Sequence, residues 1–191
     1  MNDVSELKLD ILLSDNILNE IKDKIKKHHE LYENKVTSSN WEEILHKSFV
    51  KNNLNSSWNM NGHQSGTDVT CEDVKISCKS GVIKGKKIKK LVISSYRTTS
   101  LKTIEEKKDF LDQKHEDVIF SLVYDNNIYK IYAFIQPQVS SLEWIETKGQ
   151  WKACDKNLWN EYKISKSMSD QFWMQLSIDH WNNWGIKIYD L

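Results

Sequence analysis

The stretch GTDVTCEDVKISCKSG, residues 66–81, decides how the chain is read. Apolar and polar residues alternate on either side of Glu72-Asp73, the pattern of two short strands joined by a two-residue turn. With the turn there, Cys71 faces Val74, Thr70 faces Lys75, Val69 faces Ile76 and Asp68 faces Ser77. Strand side chains alternate between faces, so Val69, Cys71, Val74, Ile76 and Cys78 form an apolar side that needs a core. Asp68, Thr70, Lys75, Ser77 and Lys79 fall on the other side. Asp68 and Lys79 are diagonal neighbours there, within reach of one small ligand. The alternative reading is a surface ion pair, a contact that contributes about 0–1 kcal/mol. Gly62 and Gly66 make an approachable loop before Asp68, and Ser80-Gly81 is expected to end the second strand.

Outward from this hairpin, the chain alternates helical and strand patterns. Leu9, Leu12, Leu13, Ile17, Ile21 and Ile25 recur at helical spacing, which predicts one or two amphipathic helices over residues 4–33. TSSNWEEILHKSFV predicts a second helix capped by Asn40, with Glu43 in the capping-box position. Residues 82–95 alternate again, with a turn at KGKK, and SLKTIEEKKDFLDQK predicts a helix capped by Ser100. DVIFSLVYDNNIYKIYAFIQ reads as a hairpin turning at Asp125, Asn126 and Asn127. DQFWMQLSI is a late strand, while residues 138–168 carry aromatics with weak periodicity. The expected fold is therefore α/β, a single domain over residues 1–191 with a central mixed β-sheet flanked by helices. Its parts are N-terminal helices over 1–50, an αβ core over roughly 40–136 and a C-terminal region over 137–191.

The 191 residues suffice for one domain with a core and are too few for two comfortable ones. No run of about 18 apolar residues suits a membrane span. The opening MNDVSELKLDILLSD has acids where a signal peptide needs positive charge, so a cytoplasmic location is expected. Three cysteines are too few for a disulfide framework, and the six histidines lack zinc-site spacing. A Cys/His nucleophilic pair with His63 is possible in principle, with reduced buried thiols as the plainer alternative.

Charge is balanced overall, 27 basic against 27 acidic residues, but not evenly distributed. Between Val74 and Ile104 there is no acid, while eight lysines and Arg97 fall there. Lys84, Lys86, Lys87, Lys89 and Lys90 surround a turn and suit phosphate contacts, or else are simply solvated turn residues. Arg97 is the chain's one arginine, in a sequence otherwise using lysine for positive charge. Its planar fork can grip guanine or phosphate as lysine cannot, so Tyr96, Arg97, Thr98 and Thr99 form a candidate DNA-reading loop. A structural ion pair is the alternative for Arg97.

The Asp68–Lys79 segment resembles the PD-(D/E)xK nucleases, many of them type II restriction endonucleases. Thr67-Asp68 stands where that family has PD, and Ser77-Cys78-Lys79 stands where it has (D/E)-x-K. The order helix, aspartate, hairpin, helix, strands is also similar to the family's αβ core. The resemblance implies an Mg²⁺-dependent endodeoxyribonuclease cutting double-stranded DNA at a short specific site. It makes Asp68 and the backbone carbonyl of Cys78 ligands of Mg²⁺, and Lys79 the residue that orients or activates the attacking water. Ser77 departs from the pattern, because a hydroxyl is a poor Mg²⁺ ligand. Some family members with serine here recruit a glutamate from a helix. Glu43 is the first candidate for that role, although a helix cap is equally open to it. Glu105 and Glu106 come next, then Glu72. A palindromic target implies a homodimer, and the family implies a cognate DNA methyltransferase as a functional partner. Alternatives in the same fold are a structure-specific repair or recombination nuclease and a catalytically inactive DNA-binding module.

Overall fold

The computed structural model describes residues 9–58, 67–114, 118–165, 169–180 and 187–191. His63 and the Gly62–Gly66 loop lie outside these residues, as do the first eight positions. The chain is mixed α/β and divides into two compact units that interleave in sequence. The first contains residues 1–80, 117–134 and 187–191, and the second residues 81–116 and 135–186. The αβ core expected over 40–136 is therefore shared between them. Among the described residues no helix is long and apolar enough to cross a membrane.

In the first unit, residues 9–12 are helical and α1 spans Asp15–Leu31. Ile17, Ile21 and Ile25 succeed one another at four-residue spacing and form its buried stripe. Helix α2 spans Ser38–Lys51 and is capped by Thr37, whose side chain accepts from the Asn40 backbone N–H. The expected cap at Asn40 is thus three residues late. The helix starts where Thr37 adopts an extended conformation and satisfies an orphan donor of the first turn. Trp41, Ile44, Leu45, Ser48 and Phe49 are its buried face, and the Trp41 indole donates to the Phe120 carbonyl at 3.0 Å.

The strands of this unit are β1 (Ser56–Trp58), β2 (Val69–Cys71), the start of β3 (Val74–Lys84), β5 (Val118–Asp125), β6 (Ile128–Ile135) and β11 (Lys187–Asp190). Their order is β11-β6-β5-β3, with β2 on β3 and β1 on β2. The β2–β3 register is the expected one: Cys71 opposite Val74, Thr70 opposite Lys75 and Val69 opposite Ile76. Glu72 and Asp73 both have positive φ, 46° and 63°, as a two-residue turn of the type favoured in hairpins requires. Asn126 and Asn127 turn β5 into β6 in the same way, with φ of 50° and 64°. Val69, Cys71, Val74, Ile76 and Cys78 are all buried and share one core with α1 and α2.

The second unit holds the end of β3, then β4 (Lys90–Arg97), α3 (Ile104–Asp112), β7 (Ile145–Thr147), β8 (Gln150–Asp155), β9 (Asn160–Ser165) and β10 (Gln171–Ser177). Its strand order is β3-β4-β10-β9-β8-β7. Ser80-Gly81 does not end the strand as expected. Gly81 through Lys84 find partners on β4, Gly81 opposite Ile93 and Lys84 opposite Lys90. The turn comes at Gly85, whose φ is +103° and where a Cβ would sit 2.0 Å from the Ile88 carbonyl oxygen. Only glycine fits there. Helix α3 is capped by Thr103 rather than Ser100, in a full capping box with Glu106. The weakly periodic residues 138–168 include the three strands β7, β8 and β9.

Candidate active site

Asp68 stands just before β2, and three groups from β3 converge on its Oδ2 atom. The Cys78 backbone N–H donates at 2.7 Å, the Lys79 ammonium at 3.1 Å and the Ser77 hydroxyl at 3.3 Å. The hairpin register explains the convergence, since Asp68 is the next position after Val69 opposite Ile76. The Lys79 and Asp68 side chains are 17% and 23% exposed, so this is not the freely solvated surface pair of the alternative reading. Ser77 is buried. Its hydroxyl serves here to hold the Asp68 carboxylate, so its contribution is positional.

On α2, the carboxylate that feels the charge of Asp68 is Glu42, one residue before Glu43. Glu43 points along the exposed side of the helix and pairs with Lys47 one turn on. Glu42 instead accepts from the Trp58 indole of β1 at 3.4 Å. Its carboxyl is held above the usual carboxylate range, first by burial and then by the negative charge of Asp68. The Trp58 hydrogen bond and the positive charge of Lys79 act in the opposite direction. Glu42, Asp68 and Lys79 therefore share one electrostatic environment. Helical phase could have found this: Glu42 lies three and seven residues before Leu45 and Phe49, both fully buried. Glu43 lies four and seven before Lys47 and Val50, both exposed. Trp58 carried no such signal in the sequence.

The remaining acids are occupied elsewhere. Glu72 sits at the β2–β3 turn, where its Oε1 accepts from the Asn55 N–H at 2.7 Å. In the second unit, Glu106 accepts from the Lys102 and Thr103 N–H groups of its capping box, and Glu105 is exposed on α3. Burial holds the Cys78 thiol well above its ordinary range and pushes Cys71 up to about 12. Both are therefore neutral near pH 7, which removes them as nucleophiles.

Among the described residues no group of three or more His, Cys, Asp or Glu side chains is arranged to hold a metal. Mg²⁺ does not need one: it is commonly held by one or two carboxylates with waters and substrate phosphates completing the shell. Asp68 and Glu42 are the two carboxylates that could take that part. Burial raises Glu42 most and the negative charge of Asp68 adds to it, and a divalent cation would offset that charge.

In the second unit, the residues of the loop after β4 differ in exposure. Arg97 and Thr99 are exposed, and no ion pair holds Arg97 among the described residues. Tyr96 is half-buried, edge-on to Phe110 with ring centroids 6.2 Å apart. Thr98 is buried and is not available to DNA; its N–H donates to the Asp170 carbonyl at 2.7 Å. The residue that secures this loop is Lys107, only 3% exposed. Its ammonium donates to the Thr98 carbonyl at 2.9 Å, the Leu101 carbonyl at 2.6 Å and Asp170 Oδ2 at 2.6 Å. Lys84, Lys86 and Lys87 are exposed around the Gly85 turn. No family model matches the chain, and neither a curated protein nor a solved structure matches it.

Proposed function

We propose that the chain is an Mg²⁺-dependent endodeoxyribonuclease, a type II restriction endonuclease of the PD-(D/E)xK kind, with Glu42 as its second acid. The observation carrying this reading is the Lys79 ammonium bonded to Asp68 across the hairpin, with Glu42 of α2 in the same electrostatic field. A bound Mg²⁺ would polarise the scissile phosphate and acidify a coordinated water. Asp68 and Glu42 would hold it, with the Cys78 carbonyl as a further donor. The Cys78 N–H and Ser77 hydroxyl keep the Asp68 carboxylate in one orientation, so it needs no rearrangement to act. Lys79 stands beside that carboxylate, where its positive charge can orient the attacking water and stabilise charge building on the phosphate oxygens.

The substrate in this reading is duplex DNA cut at a short site by a homodimer, with host DNA protected by a cognate methyltransferase. Incubation with unmodified plasmid, with and without Mg²⁺, tests it. Discrete fragments that require Mg²⁺ and vanish in Lys79→Ala are expected. Cutting restricted to branched or damaged DNA would favour a repair nuclease, and metal-independent binding without cutting would favour an inactive module.

A further inference from the structure

Strand β1 is short, yet its two half-buried residues both meet α2. Ser56 and Trp58 share one face of the strand, while Ser57 between them is exposed. Glu42 and His46 are one turn apart on α2 and so share a face of the helix. The two faces meet in matched pairs. His46 Nδ1 and the Ser56 hydroxyl are 3.0 Å apart, and the Trp58 indole N–H donates to Glu42 Oε2 at 3.4 Å. The His46 and Trp58 rings join the two pairs, their centroids 6.1 Å apart and their planes inclined by 34°.

On its other side β1 pairs with β2, Ser56 opposite Cys71 and Trp58 opposite Val69. Val69 directly follows Asp68. Strand β1 thus touches both the helix that carries Glu42 and the strand that Asp68 precedes. Glu42 receives its Trp58 hydrogen bond from another element, whereas Glu43 pairs with Lys47 on its own helix. A glutamate side chain is long and flexible, and without such a partner it samples several rotamers. A charge-assisted hydrogen bond from a ring that is itself held removes that freedom before any ligand arrives. Trp58 is such a ring, packed against the core of the first unit and braced by His46. A phenyl ring would fill much of the same space but lack the N–H, so packing and orientation can be separated by substitution.

We infer that Trp58 is a positioning residue for Glu42: its indole N–H fixes the orientation of the Glu42 carboxylate, and His46 and Ser56 fix the indole. The inference rests on the nuclease reading for what Glu42 holds, a divalent cation; the contacts themselves do not depend on it.

The test is Mg²⁺ binding by the full chain, measured by calorimetry without DNA, in wild type and Trp58→Phe. Hydrogen-bond partners of metal ligands are worth about 10–100-fold in affinity, so Trp58→Phe should weaken Mg²⁺ about tenfold while melting about 2–4 °C below wild type. Indole N–H resonances give a metal-free readout. The one missing in Trp58→Phe should move in Glu42→Gln and hold its position in Glu43→Gln. Should Trp58→Phe fail to fold, Ser56→Ala decides in its place: it keeps the indole but loosens its support, and Mg²⁺ affinity should fall by a smaller factor. Unchanged Mg²⁺ affinity in the deciding variant, or an indole signal indifferent to Glu42→Gln, would overturn the inference. Mg²⁺ binding that depends on Trp58 in a chain that never cuts plasmid refutes the catalytic reading and leaves the inference standing. Plasmid cutting by a Trp58→Phe variant with undiminished Mg²⁺ affinity does the reverse. A wild type that binds no Mg²⁺ refutes both.

Discussion

Removing the Asp68 carboxylate should have two separable consequences, because the same oxygen organises the hairpin and would hold the metal. In Asp68→Ala, the Cys78 N–H loses its 2.7 Å acceptor on a residue only 1% exposed. A buried donor left unsatisfied costs about 1–3 kcal/mol. The Lys79 ammonium loses its 3.1 Å partner while its side chain remains largely covered, which adds to the cost. A total of about 2–4 kcal/mol is expected. For a chain of this size that lowers Tm by about 5–15 °C, at roughly 2–4 °C per kcal/mol. Asp68→Asn retains an amide oxygen for the Cys78 N–H and should cost about 1 kcal/mol or less. It removes the charge that would hold Mg²⁺, so cleavage should be lost as completely as in Asp68→Ala. Thermal melts and Mg²⁺-dependent plasmid cleavage on both variants separate the two roles. An alanine variant melting like wild type would refute the structural argument, and a cleaving Asp68→Asn would refute the catalytic one.

Glu42→Gln should abolish cleavage yet raise the metal-free Tm at neutral pH, whereas Glu43→Gln, which loses only an exposed pair with Lys47, should change stability by no more than about 0.5 kcal/mol and leave the rate alone. The pH dependence follows from the sign of the Glu42 shift: its raised carboxyl supports the fold at acid pH, and that support is lost as pH rises through its folded pKa. The stability gap between Glu42→Gln and wild type should therefore open across that range, and Mg²⁺ affinity measured by calorimetry should strengthen over the same range as Glu42 ionises. Lys107→Met should lower stability by about 3–5 kcal/mol, since it strands the half-buried Asp170 and two carbonyls; a melt within a degree of wild type would contradict that. Arg97→Lys should cost about 1–3 kcal/mol of binding to a cognate duplex with little change on a scrambled one; equal weakening on both would make Arg97 a phosphate contact instead.

Local pattern alone determined the β2–β3 hairpin. Alternation named its buried face, and two residues able to take positive φ named its turn, so Asp68 was necessarily brought to Ser77 and Lys79. The Asn126-Asn127 turn and the late strand β10 were legible for the same reason: each depends on contacts between near neighbours. Local pattern did not show which acid would join Asp68. Glu42 and Glu43 are adjacent and chemically identical, and moving the helix start from Asn40 to Thr37 left neither of them in a capping position. What separates them is 100° of helical rotation, and that becomes a difference of environment only when Leu45 and Phe49 pack into the core and β1 brings Trp58 alongside. Thr98 followed the same logic, polar in sequence yet buried once Lys107 and Asp170 closed around its backbone. The length of β3 was likewise a tertiary matter, since Ser80-Gly81 reads as a stop until β4 supplies partners beyond it. Near-neighbour hydrogen bonding and alternation are encoded over a few residues, whereas the electrostatic setting of a carboxylate is set by groups far apart in the chain that only the packed core brings together.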